Sequence, residues 1–282
     1  MRKVILSAIL SAMSLSTVAQ EVKIGDVSMK AYGQIRADLF YNTRANNETV
    51  DGLFYMYPKD NEYDADGNDL NATPQGSMYA IYSRLGVDVA GPKLGAAAAT
   101  AKIEADFRGS GTDYSVFRIR HAYFNLNWNN QHDLLIGQTW HPLFGEVSPS
   151  MLNLSTGAPF QPFSRAPQIR YRYTAPCGLR LSASAIWQFQ YTSAGPEGKT
   201  HNYLKNSNIP ELHIGVDYRR YALTIGASME LLSLKPRTKA TFDDKTYKVN
   251  ERVTSLSAEL HLKYQAKTWL LSGKTILANN LT

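Results

Sequence analysis

The sequence predicts an all-β chain, an antiparallel up-and-down transmembrane β-barrel, on three observations. From Lys30 onward about eleven segments alternate apolar and polar residues with a period of two. Their connections alternate long and short, as in outer-membrane barrels, where one side carries tight turns and the other long loops. Aromatic residues gather toward the strand ends (Tyr41, Trp128, Trp140, Tyr191, Tyr218, Tyr221, Tyr264, Trp269), where an interfacial girdle places them.

The first element is a leader. Arg2 and Lys3 precede an apolar run to Val18, and Thr17-Val18-Ala19 has the small-x-small pattern of a cleavage site, so residues 1–19 read as a signal peptide and residues 20–282 as the barrel domain. No later run reaches the roughly 18–20 apolar residues of a membrane helix. Loss of Arg2 and Lys3 lowers the formal net charge from +6 to +4, because the leader holds no acid. That charge is spread along the strands, without the clustered stripe a nucleic acid needs, so no nucleic-acid partner is expected. The single cysteine, Cys177, excludes an intrachain disulfide framework.

The first strand sets Ala31, Ile35, Ala37, Leu39 and Tyr41 against Gln34, Arg36 and Asp38. The second sets Ile81, Leu85, Val87 and Val89 against Tyr82, Arg84 and Asp88; the third alternates Ala101, Ile103, Ala105 and Phe107 with Lys102, Glu104, Asp106 and Arg108. In the fourth, Phe117 and Ile119 lead, then the apolar phase slips to Ala122, Phe124, Leu126 and Trp128, which predicts a β-bulge near His121. The fifth, Asp133 to Trp140, is ambiguous. The sixth opposes Ile169, Tyr171 and Tyr173 to Gln168, Arg170 and Arg172, and the seventh runs from Leu179 to Tyr191. The eighth to tenth are carried by Leu212–Tyr218, Tyr221–Met229 and Leu256–Tyr264, and an eleventh begins near Thr268.

Two architectures fit this alternation. A soluble sandwich buries the apolar face; a membrane barrel turns it to lipid and lines a lumen with the polar one. Strand lengths of about 9–15 residues suit a tilted membrane crossing, which favours the barrel. Inward positions then hold Arg36, Arg84, Lys102, Arg108, Arg118, Arg120, Arg170, Arg172, Arg180, Arg219, Lys263 and Lys274. The inward acids are Asp38, Asp88, Glu104, Asp106, Glu211, Asp217, Glu230 and Glu259, which leaves the lumen cationic. Guanidinium groups stay charged and bind carboxylates in a fork, which suits anion passage. Equally, these arginines can pair with Glu104 and Asp106 across strands and brace the wall.

Ser83-Arg84-Leu85-Gly86-Val87-Asp88-Val89, Lys102-Ile103-Glu104-Ala105-Asp106-Phe107, Phe117-Arg118-Ile119-Arg120-His121-Ala122-Tyr123, Leu135-Ile136-Gly137-Gln138-Thr139-Trp140 and Pro167-Gln168-Ile169-Arg170-Tyr171 resemble the amino-terminal half of DcaP-like porins. The match covers Ala31 to Tyr173; later strands agree in pattern only. The resemblance implies a trimeric outer-membrane porin of about sixteen strands, set in Gram-negative outer-membrane lipid and passing small anionic solutes such as dicarboxylates. On the inward positions of the strand alternation, Arg36, Arg84, Arg108, Arg118, Arg120, Arg170, Arg172, Glu104 and Asp106 line the pore or its constriction, and no cofactor is expected. The resemblance also implies that the third long connection, Pro142 to Arg165, folds into the channel; an external lid or trimer contact is the alternative. With about eleven strands and no terminal aromatic residue, the chain reads as C-terminally truncated, an open curved sheet with unpaired edges.

Asp64, Asp66 and Asp69 around Gly67 form a weak calcium-turn candidate that lacks the glutamate of a full EF-hand. No G-x-S-x-G, H-E-x-x-H, P-loop or C-x-x-C is present, so a barrel enzyme ranks below a porin and below a secreted or surface β-protein that binds glycans.

Overall fold

In a computed structural model the chain is described over residues 13–16, 21–49, 54–108, 116–145, 147–148 and 163–280. The strands in chain order begin with β1 (Met13–Ser16), β2 (Glu21–Ile24), β3 (Val27–Asn42), β4 (Asn46–Thr49), β5 (Phe54–Pro58), β6 (Gln75–Tyr79) and β7 (Arg84–Ala90). They continue with β8 (Ala98–Asp106), β9 (Arg118–Trp128), β10 (His132–Trp140), β11 (Arg165–Thr174), β12 (Leu179–Ile186), β13 (Ala194–Gly195) and β14 (Gly198–Lys199). A short helix α1 (Asn202–Ser207) precedes β15 (Glu211–Arg220), β16 (Leu223–Leu234), β17 (Lys239–Phe242), β18 (Lys245–Lys248), β19 (Val253–Gln265) and β20 (Leu270–Leu277).

One sheet carries the fold, in the order β1-β3-β7-β8-β9-β10-β11-β12-β15-β16-β19-β20, with β2 and β6 also paired to β3. Every pairing in it is antiparallel, and after β3 each strand pairs with the strands before and after it. β6 and β7 act as one strand along β3, interrupted at Ala80–Ser83. The tight connections sit at one edge of the sheet and the long ones at the other. The hairpins β4–β5, β13–β14 and β17–β18 stand within the long connections.

Besides the break at residues 80–83, which takes Ile81 and Tyr82 out of the second predicted strand, the strands follow the sequence pattern with four differences. An additional edge strand, β1 with β2, precedes the first predicted strand, so the path holds twelve rather than eleven. The other leader residues lie outside the described set. β12 stops at Ile186 instead of reaching Tyr191, because the Gln188 side chain turns back to bond Ser193. Tyr221 is not a strand residue: it sits in the β15–β16 turn with φ +52 and stands 94% exposed. Finally, the ambiguous fifth segment is a full strand, β10.

The predicted bulge is present. Glu104 pairs with His121 and the next β8 residue, Ala105, with Ile119, so Arg120 is the extra residue and both Arg120 and His121 point to the polar face. The freed carbonyl of Ile119 accepts from the side-chain amides of Gln138 at 2.8 Å and Gln190 at 2.9 Å. Opposite the bulge, Gly137 takes φ +132, and a Cβ there would lie 2.3 Å from the Ala122 carbonyl oxygen. Only glycine fits that approach.

Burial is inverted relative to a soluble protein. On β15, Glu211 and His213 are each 4% exposed, while Ile214 between them and the next turn is 60% exposed. The same holds for Ile103 and Leu260 against Glu104 and Glu259. Among the described residues the buried apolar cluster is Tyr203, Leu204, Leu232 and Leu234, where α1 packs on the end of β16. A chain that buries its charges and exposes its isoleucines is built for lipid outside and water inside.

The sheet is curved. Along a flat sheet β10 and β20 are six strand spacings apart, roughly 29 Å. Four residues beyond Trp140 span at most about 14 Å, yet the Phe144 carbonyl accepts from Lys274 Nζ of β20 at 2.9 Å. Among the described residues no pairing joins β20 to β1, β2 or β3, so the sheet is open.

The inverted faces make a direct prediction. Ile214→Arg should cost about 2–4 kcal/mol of stability in lipid, whereas Ser182→Arg on the polar face should insert normally. Urea titration of liposome-refolded protein, followed by heat-modifiable gel mobility, checks both.

Candidate functional site

The polar face of β3 to β9 carries a connected set of charges. Asp106, fully buried at the end of β8, accepts a forked pair from Arg118 of β9 at 2.9 and 2.6 Å and a further bond from Arg120 at 2.9 Å. Arg120 Nε also reaches Glu104, whose other oxygen accepts from Tyr32 at 2.8 Å. Arg36 pairs with Asp38 at 2.8 Å. Arg118 and Arg120, two residues apart, share this face by the ordinary alternation of a strand, and the bulge adds His121 to it.

Around Tyr82 three guanidiniums gather, Arg36 at 4.9 Å, Arg84 at 4.8 Å and Arg108 at 5.1 Å from the ring centre. Cations over an aromatic face are attracted by its quadrupole. A second aromatic group forms where β10 leaves the sheet: Trp140 stacks on Phe144 at 4.1 Å, and Phe163 meets both edge-on. Arg165, fully buried, lies 4.3 Å over Trp140 and donates weakly to the Tyr191 hydroxyl, which also receives Arg118. Among the described residues its Nε and Nη1 have no hydrogen-bond partner.

The described start of the third long connection lies against the polar face. His141 accepts from the Leu143 amide and approaches Glu211 at 2.9 Å and Glu230 at 3.4 Å; Lys274 donates to the carbonyls of Leu143 and Phe144. Pro149, Pro159, Phe160 and Pro162 of this loop lie outside the described residues. Beneath it is a cavity of about 190 Å³ bordered by Arg170, Arg172, Arg180, His213, Asp217 and His261, among others. Arg172 is paired with Asp133 at 2.8 Å and Arg180 with Asp217 at 2.9 Å. Arg170 donates to Gln168 and to the Trp140 carbonyl.

The predicted site residues therefore fall into two groups. Arg36, Arg84, Arg108, Arg118, Arg120, Glu104 and Asp106 form one network, and Arg170 and Arg172 border the cavity beneath the loop. Arg219, expected to point inward, is exposed at the end of β15, where the turn begins. Trp140 and Tyr191, expected in the lipid-facing girdle, instead belong to the polar side, drawn there by Arg165 and Arg118. Arg165 itself was not foreseen, since it stands at a loop end with no alternating neighbour to assign its face.

His141, Glu211 and Glu230 offer ligand atoms that all lie within 4.8 Å of one another. Asp64, Asp66 and Asp69 make no such group. Asp64 caps its own turn, accepting from the Asp66 and Asn68 amides, and Asp69 is held by Arg44. The Asn68 amide, joined by its side chain, keeps Asp64 below the ordinary aspartate range, and the Arg44 hydrogen bond does the same for Asp69.

Two predictions arise here. Depressed carboxylates lend order above the ordinary aspartate value and lose it as pH falls through their lower folded values. The loop at residues 59–74 should thus resist limited proteolysis from pH 7 to about pH 4 and open below it. Asp106→Asn leaves Arg118 and Arg120 without their shared counter-charge, and should cost about 3 kcal/mol in urea unfolding.

A family model described as DcaP outer membrane protein matches residues 6–184. The outer membrane channel DcaP of Acinetobacter baumannii is similar in structure, with a TM-score of 0.64 at 21% identity, over 94% of this chain and 68% of that one. A loop L8 deletion mutant of OmpT, an outer membrane protein of Vibrio cholerae, gives 0.53 at 13% identity, over 90% of this chain and 70% of that one. No curated protein matches the sequence.

Proposed function

Because this chain belongs to the DcaP outer membrane protein family, a family of porin-type channels, we propose that it passes small anions through a water-filled outer-membrane channel. The observation that carries the anion preference is the charge count at the network. Six guanidiniums (Arg36, Arg84, Arg108, Arg118, Arg120, Arg165) are joined there, among the described residues, by three carboxylates, Asp38, Glu104 and Asp106. Bracing and selecting are compatible, since the paired arginines hold the wall while the surplus sets the sign of the field. Arg170 and Arg172 extend the same sign to the cavity under the loop. Fixed guanidinium forks next to aromatic faces suit carboxylate-bearing solutes better than halide alone.

The same reading includes removal of residues 1–19 on export, which takes β1 from the edge of the sheet and leaves β2 paired to the start of β3, and a homotrimeric assembly in the outer membrane, which cross-linking of the membrane-extracted protein addresses. No catalytic role is assigned.

Planar-bilayer recordings in a potassium chloride gradient test the proposal. The expected reversal potential is that of a chloride-preferring pore, and Arg165→Ala together with Arg170→Ala should lower the preference several-fold. A cation-preferring potential, or no conductance from folded protein, would overturn it.

A further inference from the structure

We propose that His141, Glu211 and Glu230 bind one divalent transition-metal ion of the zinc class, near the edge of the sheet that bears the long connections. The three ligands come from three elements: the residue after β10, the first residue of β15 and the eighth residue of β16. His141 Nε2 stands 2.9 Å from Glu211 Oε1 and 3.4 Å from Glu230 Oε2, and all ligand atoms fall within 4.8 Å. Ligands about 2.0–2.2 Å from a tetrahedral ion sit roughly 3.3 Å apart, so side-chain rotation alone closes the remaining gap.

Two further observations point to a cation. Both carboxyl groups are buried, and among the described residues His141 is the one basic side chain within ion-pair distance of either. Two adjacent carboxyl groups out of water must share a proton or gain positive charge, and one imidazole supplies at most one. Among the described residues, Glu230 Oε2, at a residue 3% exposed, makes no hydrogen bond beyond this cluster. His213, directly across from Glu230 in register and 4% exposed, has neither ring nitrogen hydrogen-bonded among the described residues, and so stands as a second imidazole beside the site. One nitrogen and two carboxylate oxygens suit a borderline ion over calcium, which takes six to eight oxygens.

The cost is specific. Leu143 N–H donates to His141 Nδ1, which places the neutral ring's proton on Nε2. Metal binding at Nε2 moves that proton to Nδ1 and gives up two contacts, the Leu143 N–H to Nδ1 and the Nε2–H to Glu211, the second of which is replaced by an ion bridging the same two groups.

The test is calorimetric titration of the folded, EDTA-stripped full chain in detergent with zinc chloride. The expected result is saturable one-to-one binding, weakened at least about tenfold in Glu230→Gln and in His141→Ala. His141 lies outside the strands, so its variant reports even where Glu230→Gln fails to fold. Absence of saturable binding by the parent chain, or equal affinity in His141→Ala, would show that the three groups share a proton instead of an ion. Because binding heat does not depend on conductance, failure here is separable from failure of the channel reading.

Discussion

The bilayer's lack of water to receive a stray N–H or C=O is the constraint from which this architecture follows. Strands facing lipid must satisfy their backbone from neighbouring strands, which requires long antiparallel ladders in chain order. It also requires repair wherever the ladder is disturbed. The bulge in β9 shows the repair: it frees the Ile119 carbonyl, and Gln138 and Gln190 supply the donors that the ladder no longer does. Gln168 performs the same service where β10 ends, donating toward the carbonyls of Thr139, Trp140 and Ala166. These glutamines are as much backbone chemistry as side-chain chemistry.

Once the ladder turns apolar side chains to lipid, the polar ones have nowhere to go but inward. The inner face must then organise many charges at close quarters. Asp106 anchors Arg118 and Arg120, Asp133 anchors Arg172 and Asp217 anchors Arg180, so each carboxylate fixes the direction of the guanidinium it holds. Aromatic rings take the remainder. Tyr82 and Trp140 hold guanidiniums by their faces and add no charge of their own.

The regular part of this structure was legible because period two is written in every strand, and the phase slip between Ile119 and Ala122 located the bulge within a residue. Loop parity gave the up-and-down order. What escaped was set by long-range approach rather than by local pattern. Tyr191 continues the apolar alternation of β12, but its hydroxyl meets Arg118 and Arg165 across the sheet. Trp140 reads as a girdle residue until Phe144 folds back over it. Arg165 carries no periodicity, and the meeting of His141 with Glu211 and Glu230 joins residues 70 or more apart in the chain.

The bond from Lys274 to the Leu143 and Phe144 carbonyls has a consequence for the order of assembly. It spans about 130 residues of chain and depends on β20, the last strand of the path, being seated. Contacts of such separation form late, after local hairpins have closed. A nascent sheet grown from β3 to β19 therefore holds its third long connection without this tether. Seating the start of that connection against the wall thus waits for a lysine far along the chain.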